Sequence, residues 1–320
     1  MALEHIPRVD LNDYLSGDEA RKQRFVKELG DSFSEIGFAI VKNHGVDDDT
    51  IAKAYQAFYD FFALPEAIKR KYEVVELAGQ RGYTSKGREH AKGSDVPDLK
   101  EFFHIGQIIE DNDPIKKEYP DNIFIDEVPG VEQHGVALYR SLEASGVAVL
   151  KAISEYLSLP VDYFDNKIHN GNSILRPIHY YPIRNTHEVP DGAVRAAAHE
   201  DISIITLLIG ASAEGLEVMN LEGKWIPAIP EPNEIVINVG DMLQRLTNNV
   251  LKSTTHRVVN PPRERLHLPR YSMPFFLHPR SEMDLTCLTS CISDDNPKRY
   301  SDMTAGQYLD ERLREIGLKK

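Results

Sequence analysis

Two histidines and one aspartate stand in this chain where they could hold a metal ion: His199 and Asp201 in His199-Glu200-Asp201, and His256 in Thr255-His256-Arg257. Residues 196–209 read as a β-strand, rich in β-branched residues from Ile202 onward and without Pro or Gly until Gly210. Side chains alternate faces along a strand, so His199 and Asp201 share one face and Glu200 points away. A lone His-x-Asp more often packs and caps a turn than binds metal, so a third ligand decides the matter. His256 supplies it, 256 − 201 = 55 residues further on, which leaves room for intervening strands. Two imidazoles and a carboxylate on one face of an octahedral ion leave three positions open. That suits a non-haem Fe(II) centre that binds an oxidisable co-substrate and O2 together. Zinc on the same ligands would favour hydrolysis.

Fourteen residues beyond His256 (270 − 256), Arg270-Tyr271-Ser272 opens another strand-like run. Period 2 again puts Arg270 and Ser272 on one face. A guanidinium beside a hydroxyl is a bidentate holder for a carboxylate. An arginine at a strand start is by default a solvated surface residue; its place after a complete His-x-Asp…His set favours the carboxylate.

Periodicity gives the elements that must position these side chains. A helix over 19–36 carries Phe25, Leu29, Phe33 and Ile36 on one stripe and ends at Gly37. A strand over 38–42 follows, then a helix that opens on Asp47, Asp48 and Asp49 and stops at Leu64-Pro65. Residues 73–98 form a long polar segment, of a length that is usually functional or mobile. A strand over 99–106 precedes a long helix over about 131–159 with Leu138, Leu142, Val149, Ile153 and Leu157 on one face. Short strand-like runs then recur at 173–181, 199–209, 215–220, 224–228, 234–239, 256–260 and 270–278, the pattern of a sandwich or barrel. A last helix spans 304–316. The fold class expected is α+β, a jelly-roll core with flanking helices forming one compact unit. Its parts are a helical N-terminal module (1–125), a long scaffold helix (126–171), the β-core (172–280) and a C-terminal helix (281–320).

A net charge of −13 argues against a general nucleic-acid or anionic-membrane surface, and no apolar run is long enough to span a bilayer. Cys287 and Cys291 lack a second pair to complete a metal site and read as unpaired structural thiols. Together with a start that lacks the regions of a signal peptide, they point to a reducing cytoplasm.

With these residues in view, the chain resembles the Fe(II)/2-oxoglutarate-dependent dioxygenases, and within them the isopenicillin N synthase-like branch. The resemblance rests on His199-Glu200-Asp201, Gly215-Leu216-Glu217-Val218, Trp225, Asn238-Val239-Gly240-Asp241, the run from Ser253 to Val258, and Arg270-Tyr271-Ser272. It extends to Ile36-Gly37-Phe38 and Asn43-His44-Gly45-Val46, and Met303-Thr304-Ala305-Gly306-Gln307-Tyr308-Leu309 is similar to bacterial members. The resemblance implies a distorted double-stranded β-helix with Fe(II) held by His199, Asp201 and His256. It implies that 2-oxoglutarate chelates the metal through its 2-oxo-acid end while Arg270 and Ser272 hold its distal carboxylate. Tyr181 matches the family tyrosine that helps fix this co-substrate. Many relatives have Asn where this chain has His179, which shares a face with Tyr181 and either lines the pocket or is an ordinary hydrogen-bonded core histidine. The activity implied is oxidative decarboxylation of 2-oxoglutarate with O2 to succinate and CO2. It is coupled to hydroxylation, desaturation or ring closure of a small-molecule substrate.

The Arg-x-Ser pair also occurs in relatives that do not consume 2-oxoglutarate. An isopenicillin N synthase-type oxidase or an ethylene-forming 2-oxoglutarate oxidase is therefore the alternative on this scaffold, and a non-catalytic metal-binding jelly roll is a more remote one. A clue to the substrate lies in residues 80–93, where Arg81, Lys86, Arg88 and Lys92 against Glu89 give a local balance of 4 − 1 = +3. As a basic lid, this loop would favour a carboxylate-bearing substrate with Arg81 or Arg88 as its partner. A solvated loop that serves solubility is the plainer reading.

Overall fold

Two aspartates and a glycine set the entry into the fold. The Asp18 and Asp47 side chains accept hydrogen bonds from the Arg21 and Thr50 amides and so start two long helices. Gly37, at φ +71°, turns the chain from the first of these into a strand. The computed structural model describes residues 3–77, 79–88, 100–183, 194–209 and 215–315. Their order is β1 (Arg8–Asp10), α1 (Leu11–Leu15), α2 (Glu19–Glu35), β2 (Phe38–Lys42), α3 (Asp48–Ala63), α4 (Glu66–Lys69), β3 (Gly82–Thr84) and β4 (Lys100–Gly106). Then come α5 (Gly130–Tyr156), α6 (Asp165–Ile168), β5 (Ile174–Leu175), β6 (Ile178–Tyr180), β7 (Ala196–His199), β8 (Ile205–Ile209), β9 (Leu216–Met219) and β10 (Trp225–Pro227). The chain closes with β11 (Glu234–Val239), α7 (Asp241–Leu246), β12 (His256–Val258), β13 (Arg270–Leu277) and α8 (Ala305–Glu315).

The strands form two sheets. The larger runs β1-β2-β11-β8-β13-β5-β4-β3, with β6 paired to both β13 and β4; the smaller runs β10-β9-β12-β7. All pairs are antiparallel except β1 with β2. Every residue of β11 is buried, because both of its faces are covered. Ile235, Ile237 and Val239 join Phe33, Phe58, Leu142, Val149 and Phe275 in a core between the large sheet and the helices. Val236 points the other way, into a core with Phe38, Ile178, Tyr180, Val218 and Val258 between the two sheets. This is the expected jelly roll with flanking helices.

Two expectations change. The single strand over 199–209 is two strands in different sheets: β7 ends at His199, and residues 200–204 cross over to β8. The crossing carbonyls serve a helix start instead of a neighbouring strand, since Gly240, Asp241 and Met242 donate to Ile204, Asp201 and Ser203. A Cβ on Gly240 would lie 2.0 Å from the Ser203 carbonyl oxygen, so only glycine allows this approach. The strand over 173–181 breaks at Pro177 into β5 and β6. No described helix is long and apolar enough to cross a membrane.

Candidate active site

His199 and His256 face each other across the β7–β12 pair. The Asp201 Oδ1 lies 3.8 Å from the Nε2 of each ring. Among the described residues, these three are the one group of His, Cys, Asp or Glu side chains that could converge on an ion, with ligand atoms within 4.8 Å of one another. Each ring is held by its other nitrogen. His199 Nδ1 lies 2.8 Å from the Ala197 carbonyl and His256 Nδ1 lies 3.1 Å from the Thr254 carbonyl. Donating Nδ1–H to a carbonyl leaves the Nε2 lone pair facing the aspartate, the tautomer a metal requires.

Asp201 reaches the histidines from the crossover, not from a strand face. Its Oδ2 accepts from the Asn238 amide at 2.9 Å, which leaves Oδ1 to face the rings. Burial alone would raise the Asp201 pKa, but His256, His199, Asn238 and Thr206 outweigh it and hold the carboxylate ionised. Desolvation and then His256 push His199 down to about 4, so its ring is neutral at physiological pH. One carboxylate and two imidazoles whose Nε2 atoms face it fit a divalent Fe or a similar ion.

The strand β13 supplies the second part. Arg270 and Ser272 are 1 % and 2 % exposed, and Arg270 Nη1 lies 3.2 Å from Ser272 Oγ. In register, Lys100 on β4, Tyr180 on β6 and Arg270 on β13 form one row. Directly opposed residues share a face. This row faces inward, since Tyr180 packs with Val218 and Val258 of the small sheet. The Arg270 guanidinium lies over the Tyr180 ring, 4.9 Å from its centre.

The adjacent row, Glu101, His179 and Tyr271, faces outward toward α3. His179 stacks on Tyr271 at 4.8 Å and its Nδ1 meets Glu101 Oε1 at 2.7 Å. Glu101 also takes a 2.7 Å ion pair from Lys69 and a hydrogen bond from the Tyr83 hydroxyl. Tyr181 lies on this outer side, its ring centre 4.9 Å from that of His179. His179 is thus the hydrogen-bonded core histidine of its two readings and does not line the metal pocket. The expectation for Tyr181 is corrected: it points away from Arg270 and Ser272, while Tyr180 faces them.

The basic loop divides. Arg81 is fully buried, donating to Gln107 Oε1 at 2.8 Å and lying across Gly106, where a Cβ would come within 2.1 Å of its Cζ. It is a core residue and no partner for a substrate. Lys86 lies over the Tyr181 ring at 5.2 Å, and Arg88 approaches Glu73 at 3.6 Å. Glu89, Lys92 and Gly93 lie outside the described residues. Asn238, Tyr180 and Lys100 are the site residues that sequence reasoning left without a role. The period-2 pattern of their strands was the available signal, but it needed a register to be read.

Comparison with known proteins agrees with this geometry. A family model for the 2OG-Fe(II) oxygenase superfamily matches residues 172–279, and one for the N-terminal region of non-haem dioxygenases in morphine synthesis matches residues 6–127. The chain is 33 % identical to the proline hydroxylase buaE of Petromyces alliaceus, over 96 % of this chain and 98 % of that protein. A Caulobacter crescentus protein assigned to the 2OG-Fe(II) oxygenase family is 44 % identical, covering 98 % of this chain and all (100 %) of its own, with a TM-score of 0.88. A full-length Neurospora crassa protein crystallised with alpha-KG and thymine is 30 % identical over 97 % of this chain and 96 % of its own, with a TM-score of 0.85. These relatives are fungal as well as bacterial. Full-length similarity and a matching two-sheet core leave no doubt about the family: this chain is a member of the 2OG-Fe(II) oxygenase superfamily, an Fe(II)/2-oxoglutarate-dependent dioxygenase.

Proposed function

We propose that His199, Asp201 and His256 hold the Fe(II) and that Arg270 and Ser272 hold the distal carboxylate of 2-oxoglutarate. The observation that carries this is the Asp201 oxygen equidistant from two Nε2 atoms whose rings are fixed from behind. Bound together, Fe(II), 2-oxoglutarate and O2 supply the oxidising power, with succinate and CO2 as co-products. The chain's own residues orient and shield. The carbonyls of Ala197 and Thr254 fix the imidazoles, Asn238 aims Asp201, and Tyr180 steadies the Arg270 guanidinium. The apolar lining between the sheets excludes water from the buried side, while His199, whose side chain is 44 % exposed, marks the side open to substrate.

The substrate in this reading is a small molecule with a carboxylate. A relative named as a proline hydroxylase and another crystallised with thymine support the size class. With Arg81 in the core, Lys100 is the cation this reading favours, because it shares the inward-facing row of Tyr180 and Arg270. The match of residues 6–127 supports placing the chain in the isopenicillin N synthase-like branch. Strands β1 to β4 of the N-terminal module are hydrogen-bonded into the large sheet, which supports reading the chain as one unit. Two buried, unpaired thiols suit a reducing cytoplasm.

The test has two stages. Anaerobic addition of Fe(II) and 2-oxoglutarate to the purified protein should produce a weak visible charge-transfer band, absent with either alone. A screen of amino acids, peptides and small aromatic or terpenoid acids for stimulated succinate formation then finds the substrate. For a carboxylate hit, Lys100→Met should raise KM while leaving its neutral amide analogue unaffected. A substrate set without carboxylates would remove that part of the reading.

A further inference from the structure

Arg195 stands immediately before β7, at the opposite end of that strand from His199. Its side chain is 1 % exposed, as is that of Arg270. Nη2 donates to the Leu268 carbonyl at 2.8 Å, near the start of β13. The other two nitrogens, Nε and Nη1, have no hydrogen-bond partner among the described residues. Among the described residues, the charged group that acts on Arg195 is Arg270, which repels it, and the Tyr180 hydroxyl is the other titratable neighbour. Desolvation first, then Arg270, lowers its pKa to about 10, so the guanidinium is still a cation at neutral pH. Two guanidiniums are thus buried at the start of β13, Arg270 on that strand and Arg195 bonded to Leu268 two residues before it, with most of the hydrogen-bonding fork on Arg195 unspent among the described residues. A buried cation without a counter-ion is strongly unfavourable, and a like charge beside it adds to the cost. A carboxylate placed between them removes both penalties and fills the vacant donors.

We propose that Arg195 is a second guanidinium of the co-substrate site, gripping the distal carboxylate of 2-oxoglutarate together with Arg270. The pair would select a dianionic 2-oxo acid over one with an uncharged tail. This rests on the reading of Arg270 and Ser272 as the carboxylate anchor. It differs from a structural role for Arg195, in which the bond to Leu268 holds β7 against the start of β13.

The two roles predict opposite effects on the ligand-free protein. Melting temperatures and anaerobic binding of 2-oxoglutarate and 2-oxopentanoate, followed with Fe(II) by the charge-transfer band, are measured for wild type, Arg195→Met, Arg195→Gln and Arg270→Leu. Arg195→Met should melt higher than wild type without ligand, because a buried charge with no counter-ion among the described residues is gone. It should bind 2-oxoglutarate about ten- to a hundredfold more weakly, with 2-oxopentanoate affinity unchanged. Arg195→Gln, which keeps a donor for Leu268 but no charge, should show the same loss and serves if the Met variant does not fold. Wild-type 2-oxoglutarate affinity in either variant overturns the proposal. So does a lower melting temperature with equal weakening of both ligands. Unchanged 2-oxoglutarate binding in Arg270→Leu would instead remove the anchor on which the proposal stands, and so the two failures are told apart.

Discussion

His199 and His256 occupy directly opposed positions on antiparallel neighbours, with ring centres 4.4 Å apart. Their separation is therefore set by the ladder between β7 and β12 and not by loop conformation. Replacing either by Ala, or Asp201 by Ala, should abolish turnover and the Fe(II)/2-oxoglutarate band while the far-ultraviolet circular dichroism stays that of wild type. Full activity in any one of the three variants would remove that residue from the metal set.

Asn238 touches only Asp201 in this constellation, through its 2.9 Å amide bond. Asn238→Ala should weaken Fe(II) binding or turnover by roughly 10- to 100-fold, the usual effect of losing a partner of a metal ligand. Iron titration under anaerobic conditions checks it; an unchanged dissociation constant with unchanged turnover would leave Asn238 a packing residue.

Arg270→Leu leaves the distal carboxylate buried without its partner, at about 3–5 kcal/mol. The corresponding loss in apparent 2-oxoglutarate affinity is on the order of a hundred- to a thousandfold or more, with Fe(II) affinity nearly unaffected. Saturation at the wild-type concentration would refute the assignment.

Outside the barrel wall, Glu101 is fully buried against Lys69, whose side chain is 6 % exposed. Glu101→Gln strands that ammonium and should lower stability by about 3–5 kcal/mol. Burial alone would raise the Glu101 pKa, yet His179, Lys69 and Tyr83 hold it below its ordinary 4.5. A depressed carboxyl stabilises the fold above its unfolded pKa and loses that contribution as pH falls through the folded one. The gap in melting temperature between wild type and variant should thus stay constant from neutrality to about pH 4.5 and shrink below it. A gap that is flat down to acid unfolding would show that the carboxylate charge is not what matters.

Residue type and spacing made much of this legible. Strand β13 is long and regular over Arg270–Leu277, so period 2 correctly paired Arg270 with Ser272 on one face. The same rule paired His179 with Tyr181 correctly, but parity alone does not say which face is inside. The register Tyr180↔Arg270 does, and register is a property of two strands together. His199 and Asp201 were rightly grouped for a partly wrong reason. Ile202 and Ile204 have strand-like chemistry, but the backbone there is committed to Gly240, Asp241 and Met242. Arg81 looked like a surface charge because its sequence neighbours are polar. The space it fills exists only because residue 106, 25 positions away (106 − 81), is glycine.

The crossover that carries Asp201 gives the site a mechanical property. Both histidines ride on the small sheet, and the aspartate hangs from the span that leads into the large one, tethered there by Asn238 of β11. The three ligand atoms are consequently a gauge of how far apart the two sheets stand at the barrel's mouth. Any change that parts them by an ångström spreads the triangle, whereas changes in surface loops leave it alone. Substrate range can therefore vary along the rim with the calibration of the centre untouched.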